Sequence, residues 1–261
     1  MDIWTEKSEV KPKEVAEPKK ELKFKTLAEA EEKRGLKILS YGEFSTGKTH
    51  FGLSSKSPIY IIDTENGASP LANKFPDAKV MNICNNVGKD DDEKDEVINF
   101  EQFQEVVNHL INIPDEEIGT IIIDSISDIW AWAQAYAKTK IFKIPIEKRF
   151  QQQWDWAVPT KLYLNQLIKL INKNVNIIFI ARASEEYSGP GSPSGTFKPQ
   201  CQKRTPYWVD IVLHHKIKFI NKQINFYAKI EKCRQNGNII GEFIDNPTLE
   251  KIEKMIKDER K

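Results

Sequence analysis

One eight-residue string constrains this chain more than anything else in it: Gly42-Glu43-Phe44-Ser45-Thr46-Gly47-Lys48-Thr49. It fits G-x-x-x-x-G-K-[ST] throughout. An apolar run (36–41) precedes it and a helix-forming run (48–54) follows it. Strand, glycine-rich turn and helix form the context in which this pattern makes a phosphate-binding loop. The chemistry needs these residue types. Gly42 and Gly47 permit turns that aim successive backbone N–H groups at phosphate oxygens. The helix N-terminus adds positive potential. Lys48 can reach the β and γ phosphates, and the Thr49 hydroxyl can coordinate Mg²⁺. Residues 42–50, His50 included, are therefore the expected site for ATP with Mg²⁺.

Around this loop the text alternates strand and helix. Apolar runs at 58–63, 78–83, 119–124 and 174–181 read as further core strands. Helical patterns cover 99–113, 127–140, 159–172 and 248–257. In the second of these, Ile129, Trp130, Ala133 and Ala137 are expected inward, with Trp132 and Tyr136 off the stripe. The segment 184–206 reads as a Gly/Pro/Ser loop and 88–96 as an acidic surface loop. Late runs at 209–213, 216–220 and 224–231 read as strands, the last two joined by a turn at Asn221-Lys222-Gln223. A short helix is expected over 26–34. Residues 1–25 are charged and lack apolar periodicity, the composition of a disordered tail ahead of one domain at 26–261. Buried parallel strands followed by antiparallel hairpins predict an α/β fold with an antiparallel edge.

Two carboxylates stand where a triphosphate site needs them. Asp124 ends an apolar strand, where it can hold Mg²⁺ beside the Thr49 hydroxyl; an Asp there also suits a helix N-cap. Glu65 lies two residues past the second core strand. If that strand neighbours the one ending in Asp124, Glu65 faces the γ-phosphate and can polarise a water.

With these residues quoted, the chain resembles the RecA-type recombinase core, closest to small phage and archaeal-virus ATPases related to single-strand annealing proteins. The likeness runs over about 36–242. Its carriers are the P-loop, Ile61-Ile62-Asp63-Thr64-Glu65, Ile122-Ile123-Asp124-Ser125, Asn176-Ile177-Ile178-Phe179-Ile180 and Ala228-Lys229-Ile230-Glu231-Lys232-Cys233-Arg234. The resemblance implies a RecA-like fold and ATP hydrolysis with Glu65 as the catalytic acid. It places Arg182 where the family carries a polar γ-phosphate sensor; an Arg there can sense phosphate charge or form a salt bridge instead. It implies DNA contact by the segment 185–206, with Lys198, Lys203 and Arg204 as candidates among aromatics. It implies cations, Lys229, Lys232 and Arg234, inserted into a neighbouring subunit's site, and hence a ring or filament.

Composition sets the remaining bounds. Lys plus Arg number 39 against 38 Asp plus Glu, so no global field draws the chain to nucleic acid and any polyanion contact must be local. Three cysteines (Cys84, Cys201, Cys233) match no zinc spacing and suggest reduced thiols. No apolar run is long enough to span a bilayer, and a cytoplasmic protein is expected. The competing reading is a nucleotide-gated switch or loader that grips a protein partner without binding DNA, for which Trp154 and Trp156 offer surface. A small-molecule kinase fits less well, because kinases need no Glu65.

Overall fold

A computed structural model describes residues 24, 26, 34–83, 92–150, 152–189 and 192–258. The chain divides into Met1–Glu32 and Lys33–Lys261, and the elements below belong to the second unit. The tail expected at 1–25, the helix at 26–34, Cys84 and the start of the acidic segment fall on or largely on positions outside the described residues.

In chain order the elements are β1 (Lys37–Gly42), α1 (Lys48–Leu53), β2 (Ile59–Asp63), β3 (Lys79–Asn82), α2 (Asp92–Asn112), β4 (Thr120–Asp124), α3 (Ile126–Tyr136), α4 (Ala157–Ile171), β5 (Asn176–Gly189), β6 (Ser192–Pro199), the one-turn α5 (Thr205–Trp208), β7 (Ile211–Ile220), β8 (Gln223–Cys233), β9 (Phe243–Asp245) and α6 (Leu249–Asp258). The sheet runs β3-β2-β4-β5-β1-β7-β8-β9, with β6 paired to β5. From β3 through β7 the pairs are parallel; β7/β8, β8/β9 and β5/β6 are antiparallel. This is the RecA-like α/β class that the sequence predicts.

Strands buried on both faces explain their unbroken apolar text. Leu39, Ile121, Ile123, Ile177 and Phe179 pack with Phe103 and Val107 of α2, Ile129 of α3 and Leu167 of α4. The alternate residues Ile38, Ile61, Ile122, Ile178 and Ile180 pack with Phe51 of α1 and Ile252 of α6 on the other face. Two apolar layers, one on each side of the sheet, fix the register, since a one-residue slip would exchange them. At the foot of the sheet buried Asp210 accepts the Lys37 N–H at 3.0 Å and Arg34 Nη2 at 3.1 Å, tying the chain before β7 to β1.

Several elements differ from expectation. The segment 184–206 is mostly ordered pairing: β5 runs on to Gly189 and folds back as β6. Its Gly, Pro and Ser residues hide the pattern, because its β6 arm is largely exposed and carries no apolar alternation. The runs at 209–213 and 216–220 form the single strand β7, crossing from core to solvent. Asn221 and Lys222 both take positive φ (51° and 64°), giving the tight two-residue turn into β8. α2 begins at Asp92, so the later part of the acidic segment is helical. Trp132 is buried and Trp130 only half-buried, the reverse of the predicted stripe, since α3 packs between α2 and α4 and buries more than one narrow face. β3 is an exposed edge strand, and the three-residue β9 was too short to read.

Candidate nucleotide site

The P-loop leaves β1 at Gly42 with room for no side chain: a Cβ there would lie 2.5 Å from the His215 carbonyl oxygen and 2.9 Å from Thr46 Oγ1. Ser45 and Gly47 take positive φ (59° and 83°), which turns the backbone into a concave nest. Gly47 is the N-cap of α1, and a Cβ on it would sit 3.2 Å from Phe226 Cδ1. Crowding by backbone thus requires glycine at 42, and the positive φ favours it at 47. The Glu43 carbonyl accepts from Thr46 Oγ1 at 2.8 Å and from Lys48 Nζ at 2.6 Å. Burial lowers the Lys48 pKa, opposed by the charges of Asp124 and Glu65. A triphosphate would replace one loop carbonyl with full negative charge.

β4 stands between β2 and β5, and β5 stands next to β1, so the strand ends converge on the loop. Thr49 Oγ1 donates to Asp124 Oδ2 at 2.6 Å. Burial pushes the Asp124 carboxyl up to about 6, with the Thr49 hydroxyl pulling the other way. A buried carboxylate joined to a hydroxyl is a hard oxygen pair suited to Mg²⁺. These two residues would hold the ion, which would supply charge neutralisation at the phosphates.

Glu65 sits opposite. β2 pairs with β4 so that Asp63 lies beside Asp124, the neighbour relation on which the sequence reading of Glu65 depended. Glu65, Lys48, Thr49, Asp124 and Arg182 line one cleft of about 410 Å³. Arg182 does not stand alone there: its Nη2 is 2.6 Å from Glu65 Oε1, and its Nη1 is 2.8 Å from Asp128 Oδ1. The salt-bridge alternative for Arg182 is the arrangement seen. Two further residues matter that the sequence reading passed over. Buried Asp63 accepts N–H groups from Glu65 (3.1 Å), Gly67 (3.2 Å) and Ala68 (2.8 Å), which shapes the turn carrying Glu65. Asp128 on the first turn of α3 accepts the Thr64 hydroxyl at 2.6 Å and the Ser125 hydroxyl at 3.0 Å. The signal was present as polar residues at 124, 125, 127 and 128, at the start of an otherwise apolar helix.

A family model described as an AAA domain matches residues 34–236, the stretch that holds the loop, both carboxylates and Arg182. The chain belongs to that AAA-domain family. It is a P-loop ATPase with a RecA-like core. Among solved structures, a KaiC-like protein from the hyperthermophilic archaeon Pyrococcus horikoshii is similar at 15% identity, covering 77% of this chain and 80% of that one, with a TM-score of 0.46. No curated protein sequence matches the chain.

The remaining predicted site residues of this AAA-domain ATPase scatter. Phe44 is exposed on the loop, and His50 faces a second cleft of about 690 Å³ shared with Leu71, Lys74, Phe226 and Asn246, room for a base beside the phosphate loop. Lys198 lies on β6 and pairs with Glu186 at 3.5 Å. Lys203 and Arg204 sit in the turn before α5. Lys232 Nζ donates to the Pro206 and Val209 carbonyls at 2.5 and 2.7 Å, and Arg234 binds the Tyr207 carbonyl, so both hold α5 in place within the chain. Lys229 lies on β8 opposite His214.

Beneath the loop, His215 is 1% exposed, packs against Phe51 and has no hydrogen-bond partner for either ring nitrogen among the described residues. Burial, with the charge of Lys48 and then His214, lowers its pKa from the usual 6.5 to about 3. The unfolded chain therefore binds a proton at pH values where the folded chain does not, and stability falls as pH drops below 6.5. Between pH 7 and pH 5 this one group costs about 2 kcal/mol. Urea midpoints measured across that range should show the loss, and His215→Leu should flatten it.

Proposed function

We propose that this ATPase hydrolyses ATP with Mg²⁺ while acting on single-stranded DNA in recombination, annealing or replication, as a self-assembled ring or filament. Glu65 polarises the attacking water, Lys48 and the loop N–H groups take the phosphate charge, and Thr49 and Asp124 hold the ion. The likeness to single-strand annealing proteins belongs to the same reading.

The observation that carries the DNA part is a groove of about 670 Å³ between α4 and the turn before α5. Lys161, Lys203 and Arg204 line it together with Trp156, Gln153 and Asn165, and among the described residues no carboxylate does. On a chain of nearly balanced charge, three cations lining one groove beside an indole make a local positive patch. Cations for phosphates and an indole for an unstacked base form the usual pairing for single strands. Arg204 also borders a cleft with the half-exposed Arg34 and Arg234, and in an assembly these cations could face a neighbour's triphosphate.

Adding single-stranded DNA should raise ATP turnover, and binding should weaken steeply with salt, since each phosphate neutralised releases counterions. Reversing two charges (Lys203→Glu with Arg204→Glu) should remove about 1.4 units from the slope of log K against log salt, at about 0.7 per single-strand phosphate contact. Unchanged turnover and no binding at low salt would dismiss the DNA role. The alternative, a nucleotide-gated grip on a protein partner, draws on Trp154, which is 72% exposed beside the groove's Trp156. A partner set captured with an ATP analogue but not with ADP would favour it.

A further inference from the structure

Arg182 ties Glu65 to a fixed anchor. Asp128 is the fixed end: its side chain is 18% exposed against 45% for Arg182 and 43% for Glu65. It already accepts the Thr64 and Ser125 hydroxyls. The guanidinium meets it through two nitrogens, Nη1 to Oδ1 at 2.8 Å and Nη2 to Oδ2 at 2.9 Å, the parallel-fork geometry that makes Arg–carboxylate pairs strong and directional. On its other edge the same guanidinium offers Nε at 2.9 Å and Nη2 at 2.6 Å to one oxygen of Glu65. The Arg182 N–H donates to Ser127 Oγ at 3.0 Å, so the backbone too is held to the start of α3. Asp128 itself is not among the residues lining the cleft, whereas Arg182 and Glu65 both are.

We propose that Asp128 and Arg182 form a latch that restrains Glu65, making Arg182 a positioning residue for hydrolysis. The inference rests on Glu65 being the base. The guanidinium grips one Glu65 oxygen and so fixes which way the carboxylate points. Withdrawal of the guanidinium frees the carboxylate to turn toward a water, and a phosphate group held on Lys48 would draw the guanidinium away. Asp128 opposes that withdrawal. Resting turnover is therefore set in part by the strength of a pair whose fixed end, Asp128, does not line the cleft.

The sign of one substitution tests this. Asp128→Asn keeps an acceptor for the two hydroxyls but removes the charge that retains Arg182. The latch predicts a rise in kcat of about two- to fivefold with KM little changed, the size set by a partly exposed ion pair. Asp128→Glu, which keeps the charge, should stay near the wild-type rate. The rise should vanish in the Glu65→Gln background, where Asp128→Asn adds nothing. Urea midpoints of all variants report folding. An Asp128→Asn enzyme of native stability that is slower than, or equal to, the wild type overturns the latch. Full turnover in Glu65→Gln alone would instead remove the base assignment, which is a separate failure.

Discussion

Glu65→Gln should turn over ATP some 10²–10⁴ times more slowly than the wild type while binding nucleotide with nearly unchanged affinity. The expectation follows from where Glu65 stands. It lines the cleft with Lys48, Thr49 and Asp124, yet belongs to neither the phosphate nest nor the oxygen pair. On the proposed reading, phosphate charge would be met by Lys48, the loop N–H groups and Mg²⁺, and would gain little from a carboxylate. Water activation needs a basic oxygen, and Gln lacks one while keeping the shape. Its amide can still meet Arg182, so the turn should not collapse. Titration calorimetry and single-turnover hydrolysis on the same preparation separate the two effects. Parallel loss of affinity and rate would mean that Glu65 supports binding, and the base assignment would fall.

The core of this site is legible from the sequence because phosphate chemistry leaves few alternatives. Gly42 must be glycine where a Cβ would strike the His215 backbone, Gly47 takes a positive φ that favours glycine, and Lys48 and Thr49 follow at fixed spacing. Asp124 and the strand ahead of it are legible for a related reason: a strand buried on both faces is written in unbroken apolar residues, so its terminal carboxylate stands out. Glu65 could be named but not placed, since its meaning depended on β2 lying beside β4, a long-range pairing that no local pattern encodes. Asp63 and Asp128 were missed because their importance lies in what they bond rather than in a motif. The β5–β6 hairpin carries no strand signature in the sequence, because solvent-exposed strands need no apolar alternation. Lys232 and Arg234 show a further limit: each donates to backbone carbonyls 23 to 27 residues earlier in the chain, tertiary bonds that no spacing in the late strand encodes.

Asp63→Ala should damage both folding and catalysis, although the residue touches no part of the cleft. It is 1% exposed, at the end of β2, and both carboxylate oxygens are engaged: Oδ1 by Glu65 and Gly67 N–H, Oδ2 by Ala68 N–H. Alanine would leave three donors unmet in a turn that also carries Asn66 at φ 54°. Each hydrogen bond to a charged group contributes about 1.5–3 kcal/mol, less where water can reach the freed N–H, which gives a loss of about 2–4 kcal/mol in all. Glu65 would then hang on a turn without its frame, and small misplacements of a catalytic group cost on the order of 10² in rate. Asp63→Asn should fall between, because its oxygen can serve Glu65 and Gly67 while its NH₂ faces the Ala68 N–H, donor against donor. Urea unfolding, turnover and amide exchange at 65–68 read the three consequences. Stability within about 1 kcal/mol of the wild type, with normal turnover, would show that the turn holds Glu65 without Asp63, and the account of how this chain aims its base would fail at its first step.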